Sequence, residues 1–115
     1  MLTTQTLKAW GADTDAGLAR CMNMEPFYLK LVKMELADPN FDLLAQALKD
    51  GNANAAFEAA HALKGATGNL GLTPLFAPVS ELTEMLRNAD AMPDTGELPV
   101  QIIQAIQALR ALAEE

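Results

Sequence analysis

The strongest constraint on this chain lies between Asn52 and Gly71. Ala56, Ala59, Leu63, Ala66 and Leu70 recur there at spacings of three and four. On an α-helix, which turns about 100° per residue, such positions line up as one narrow apolar stripe. Asn52 supplies a side-chain cap for the start of this helix, and Gly71 a left-handed stop beyond Leu70. The same arithmetic places His61, the single histidine of the chain, roughly 180° from the middle of the stripe. A histidine kept for packing would sit on the stripe or its border. This one points outward, with Asn54, Phe57, Gly65 and Gly68 on its face, toward a partner or solvent.

The remaining segments read as helices too. Half of the residues are hydrophobic, with Ala, Leu and Met abundant and β-branched and aromatic residues scarce, which leaves little material for a sheet. Thr3 to Trp10, closed by Gly11, and Thr14 to Met22, capped by Asp13, form two short helices. Asn23 is placed to cap the next segment, with Glu25 and Pro26 in its first turn and a broad apolar face of Phe27, Tyr28, Leu31, Val32, Met34 and Leu36. Pro39 disfavours helical geometry at Asp38, so a break is expected before a helix through Phe41, Leu43, Leu44, Ala47 and Leu48 that ends at Gly51. Beyond Gly71, Thr73 caps a helix with Pro74 in its first turn and Leu75, Val79, Leu82 and Leu86 facing inward. Pro78 either distorts its first turn or delays regular helix to near Ala77. After a polar loop from Asn88 to Glu97, a last helix from Leu98 to Ala113 turns Ile102, Ile103, Ile106, Leu109 and Leu112 inward.

With no internal repeat or linker, residues 1–115 are expected to form a single all-α domain. Short connections predict an antiparallel, up-down four-helix bundle with short N-terminal lid helices. Met22, Met24, Met34 and Met85 are expected to fill gaps in its core, and Cys21 to be a buried reduced thiol.

Charge and motif absences narrow the function. A net charge of −7 and a pI near 4.5 give no basic field to neutralise phosphates, which argues against nucleic acid. Neither a secretory signal nor an apolar run of membrane-spanning length is present, so a cytoplasmic protein without membrane contact is expected. The chain has no phosphate-cradling glycine loop and no Gly-x-Ser-x-Gly elbow. One histidine, with Glu58 as a single carboxylate three residues before it, is too little for a metal cluster, and Glu58 reads as a solvated flank.

His61-Ala62-Leu63-Lys64-Gly65, followed by Asn69-Leu70-Gly71, resembles the signature of histidine-containing phosphotransfer (HPt) domains. Gly11-Ala12-Asp13 with Gly17-Leu18-Ala19-Arg20, Phe27-Tyr28-Leu29 and the stripe ending in Leu82 also resemble segments of that family. The resemblance implies a small helical bundle whose exposed histidine carries a phosphoryl group between receiver-domain aspartates in a two-component phosphorelay. It implies response-regulator receivers and a hybrid sensor histidine kinase as partners. Mg²⁺ is then expected in the receiver's pocket and no cofactor on this chain, a phosphoryl carrier and likewise a monomer, without a nucleotide site of its own and not an autonomous kinase.

The chemistry of the matching residues fits. An imidazole of ordinary pKa, about 6.5, is largely neutral and nucleophilic near pH 7 and needs no activating base. Lys64, one turn beyond His61, can offset charge on phosphoryl oxygens, and Gly65 and Gly68 clear the surface for an incoming receiver. Each glycine could instead serve close packing of a neighbouring helix. Phe57 has two readings, packing against a lid helix or forming part of an apolar docking patch. Asn69 is expected to hydrogen-bond locally near the helix end, with a supporting place in the site. Two alternatives stand beside the relay: a helical adaptor that docks receiver or kinase domains without carrying phosphate, and a phosphoacceptor domain phosphorylated in trans by an ATP-binding domain.

Overall fold

Within the stretch from Asn52 to Gly71, Ala53–Asn69 forms one unbroken helix, against which the rest of the chain is assembled. The structure, a computed structural model, describes all residues from Met1 to Glu115. Its helices are α1 (Thr4–Trp10), α2 (Thr14–Arg20), α3 (Glu25–Glu35), α4 (Asn40–Asp50), α5 (Ala53–Asn69), α6 (Thr73–Leu86) and α7 (Leu98–Glu114), with no strand. No helix is long and apolar enough to cross a membrane.

Most boundaries follow from local chemistry. Thr3 and Thr6 cap α1 reciprocally, Asp13 accepts from Ala16 N–H at the start of α2, and Asn52 accepts from Ala55 N–H at the start of α5. Gly51 closes α4 in the left-handed conformation. Helix α6 already begins at Thr73, capped by the backbone of Leu72, and runs through a buried Pro78. Pro78 lies in the second turn, so the loss of one donor there is borne by a helix with about two further turns to hold it.

α4 and α5 are joined through Gly51 and Asn52, and α5 and α6 through Leu70 to Leu72. Both pairs pack along each other, and α7 packs on α6. The core is aliphatic: Leu44 and Ala47 of α4, Ala56, Ala59, Ala60 and Leu63 of α5, Leu75, Val79, Leu82 and Leu86 of α6, and Ile102, Ile106 and Leu109 of α7. Because α5 is packed by both α4 and α6, its buried arc is wider than the stripe and takes in Ala53, Ala60 and Thr67. The Thr67 hydroxyl donates to the Leu63 carbonyl at 2.7 Å, which satisfies it inside the core. α1 lies against α2 and α7, and α2 against α3 and α5, as lids do.

Several inward assignments are corrected. Met22 and Asn23 occupy a left-handed turn, α2 ends at Arg20, and the backbone of Met24, not the side chain of Asn23, begins α3. Helix α3 buries only Tyr28, Val32 and Glu35, so its broad apolar face is in fact narrow, with Phe27 exposed and Met34 61% exposed. None of the four methionines expected in the core is there: Met22, Met24, Met34 and Met85 are all exposed. Apolar character alone does not specify a face: no helix packs on the outer side of α3 or on the turn before it, which leaves Met22, Met24 and Met34 uncovered, and Met85 lies on the exposed side of α6. Ile103 is likewise exposed on α7, one position past Ile102. Cys21 is buried as a free thiol.

Candidate functional site

His61 lies on the outer face of α5 and is exposed, as the helical angle predicts. Phe57, one turn earlier, stacks on it with ring centroids 5.5 Å apart and planes 19° from parallel. Phe57 is half-buried against the core and leans on the end of α6 rather than on a lid helix, with the Arg87 guanidinium over its ring at 5.1 Å. Arg87 is itself held by Glu84: its Nη2 and Nε donate to the carboxylate at 3.0 and 3.3 Å. Hydrogen bonding from Arg87, against the opposing effect of desolvation and with Coulombic help from Arg87 and Lys64, holds the Glu84 carboxyl below its usual range. Lys64 reaches across from α5 to the same carboxylate, Nζ to Oε2 3.5 Å.

On its other side His61 borders an open groove of about 530 Å³ between α5 and the lid helix α2. His61, Lys64, Gly65, Gly68 and Asn69 line it from α5, and Asp13, Ala16 and Arg20 from the α2 side. The lid is close because two glycines permit it. A Cβ on Gly17 would stand 2.5 Å from the Leu70 carbonyl oxygen and closer still to the Tyr28 ring. Gly71, at φ +68°, passes so near Asp13 that no side chain fits. In the space so made, Asp13 N–H donates to the Gly71 carbonyl at 2.7 Å and the Tyr28 hydroxyl to the Leu70 carbonyl at 2.8 Å. Burial is the main reason the Tyr28 hydroxyl pKa is pushed up to about 12. Arg20 completes the junction, its Nη1 donating to the carbonyls of Gly68 at 2.8 Å and Asn69 at 3.3 Å, the negative end of α5.

The two clearance glycines differ. A Cβ on Gly65 would meet nothing within 4 Å, so packing does not require glycine there. A Cβ on Gly68 would stand 3.0 and 3.1 Å from the edge of the Phe76 ring, so the room at Gly68 is taken by α6. Of the two readings of these glycines, close packing of a neighbouring helix therefore fits Gly68 and not Gly65, and both positions line the groove. Asn69 is exposed at the end of α5, and its backbone carbonyl, not its side chain, makes the bond found there. Arg20, Glu84 and Arg87 were not identified from sequence. The Glu84–Arg87 spacing of three is a readable helical pair, but its meeting with Lys64 and Phe57 depends on how α6 lies against α5.

The family model of the Hpt domain matches residues 30–112. The chain belongs to the Hpt-domain family. Hpt domains perform phosphotransfer in two-component signalling and interact with receiver domains and kinases in phosphorelays. No curated protein and no solved structure matches the chain. The matched span holds His61, Lys64 and Gly65, whereas Arg20 and the whole of α2 precede it.

Proposed function

We propose that this Hpt domain passes a phosphoryl group between receiver-domain aspartates through His61. The observation that carries the reading is an exposed imidazole beside an open groove, with Lys64 one turn on and free space at Gly65. A lone pair of one imidazole nitrogen forms the N–P bond as the acyl P–O bond breaks and returns its electron pair to the receiver's aspartate carboxylate. Transfer onward is the reverse of this step with a second receiver. Lys64 offsets charge on the phosphoryl oxygens, and the bare backbone at Gly65 lets the receiver's loops approach for in-line attack. Phe57 holds the imidazole by stacking and adds apolar surface beside it, and Asn69 rims the groove. Mg²⁺ belongs to the receiver's carboxylate pocket, this chain acts as a monomeric carrier without a nucleotide site, and a hybrid sensor histidine kinase supplies one of the receivers.

The test is incubation with a phosphorylated receiver and Mg²⁺, scoring label on the Hpt domain that survives alkali and is lost in acid. His61→Gln should remain folded, within about 0.5 kcal/mol of the native stability because the ring is exposed, and should take no label. Full labelling of folded His61→Gln would remove His61 from its role, and docking without label on the native protein would make the domain an adaptor.

A further inference from the structure

Glu84 has no part in the reading above, yet it touches the cation that reading depends on. Lys64 gives its ammonium to Glu84 across the α5–α6 junction, at 3.5 Å. A phosphoryl group on His61 is a second anion for the same ammonium, and the two anions compete. The competition is uneven, because Glu84 has another partner: Arg87 binds it through two nitrogens, at 3.0 and 3.3 Å, shorter than the Lys64 contact. Glu84 can therefore release Lys64 without being left alone, and Arg87 stays seated over Phe57 when it does.

We infer that Glu84 is a positioning residue for phosphotransfer, competing with the phosphohistidine for Lys64 and so keeping the phosphoryl group loosely enough held to be passed on. This rests on the assignment of His61 as phosphoacceptor. A carrier that binds its cargo too well stops a relay, and a carboxylate that takes up the supporting cation whenever the phosphoryl group leaves favours departure. Lys64 is 31% and Glu84 54% exposed, so solvent screens the pair and the effect is a few-fold rather than orders of magnitude.

The readout is the equilibrium constant for transfer between a receiver domain, labelled with acetyl phosphate in Mg²⁺, and the full chain. It compares free species before and after transfer and is insensitive to how tightly the two proteins dock. Glu84→Gln should shift it about two- to fivefold toward phosphohistidine. The same substitution in a Lys64→Ala background should shift it much less, a coupling that a merely structural role does not produce. High salt should shrink the shift in the Lys64 background. No shift, or an equal shift in both backgrounds, overturns the inference. Label that persists in His61→Gln overturns the assignment of His61 instead, so the two failures are distinguishable.

Discussion

Gly65 and Gly68 occupy one face of one helix and sit in different surroundings. Glycine in a helix interior costs about 0.5 to 1 kcal/mol relative to alanine, so each position needs a reason. Gly65→Ala meets open space and should raise stability by about that amount, seen as a melting temperature a few degrees higher, while slowing transfer from a receiver. Gly68→Ala must displace the Phe76 ring by a few tenths of an ångström and should show no such gain. Equal stabilisation by the two substitutions would mean that Phe76 moves freely and that Gly68 is not needed for packing. The outward angle of His61 was legible because it depends on helical period alone. The difference between the glycines was not, because it depends on where a residue eight positions later on another helix comes to rest.

At the scale of elements, the break between α3 and α4 carries an acid in an unfavourable place. Glu35 is buried at the end of α3, and one of its oxygens has no partner. Desolvation first, then a hydrogen bond with Asp38 and repulsion from it, push its pKa up to about 8. Asp38, although burial alone would raise it, is held below its ordinary value by hydrogen bonds from Glu35 and Asn40. Between the unfolded value of 4.5 and the folded value of about 8, the unfolded chain has lost a proton that the folded one keeps. Stability from Glu35 is therefore fully present below pH 4.5 and is lost as pH rises through 8. Asp38 acts in the opposite sense, but only as pH falls below 3.8. Stability, and with it the melting temperature, should fall from pH 5 to pH 8, the free energy of unfolding with a slope of at most about 1.4 kcal/mol per pH unit for one proton. Glu35→Gln should flatten that slope and be the more stable protein at pH 8. An unchanged slope in the variant would assign it to other groups. The break itself was legible from Pro39 and the caps from Asp13, Asn52 and Gly51, since these act through the backbone of their own neighbours. The buried acid was not, and neither were the outward Met22, Met24 and Met34, because which face of α3 is covered is decided by α2 and by the empty side opposite it.

At the scale of the whole molecule, the helical class and the presence of lids followed from composition and punctuation, but the position of α2 over the His61 groove did not. It is set by main-chain contacts at Gly17 and Gly71 and by Arg20 reaching the last carbonyls of α5. Arg20→Ala should cost about 0.5 to 1.5 kcal/mol and speed hydrogen exchange in α2 selectively, with α6 and α7 unaffected. Uniform acceleration across all helices would show that Arg20 supports the fold as a whole. The groove thus has two walls of different ownership. One is the helix that carries His61, and the other is a short separate helix fastened to it mainly by backbone atoms. Residues such as Ala16 that α2 presents to the groove take no part in the transfer proposed above or in most of the fastening. That wall can therefore change in sequence, and with it the outline of the groove, while His61 and its neighbours on α5 stay as they are.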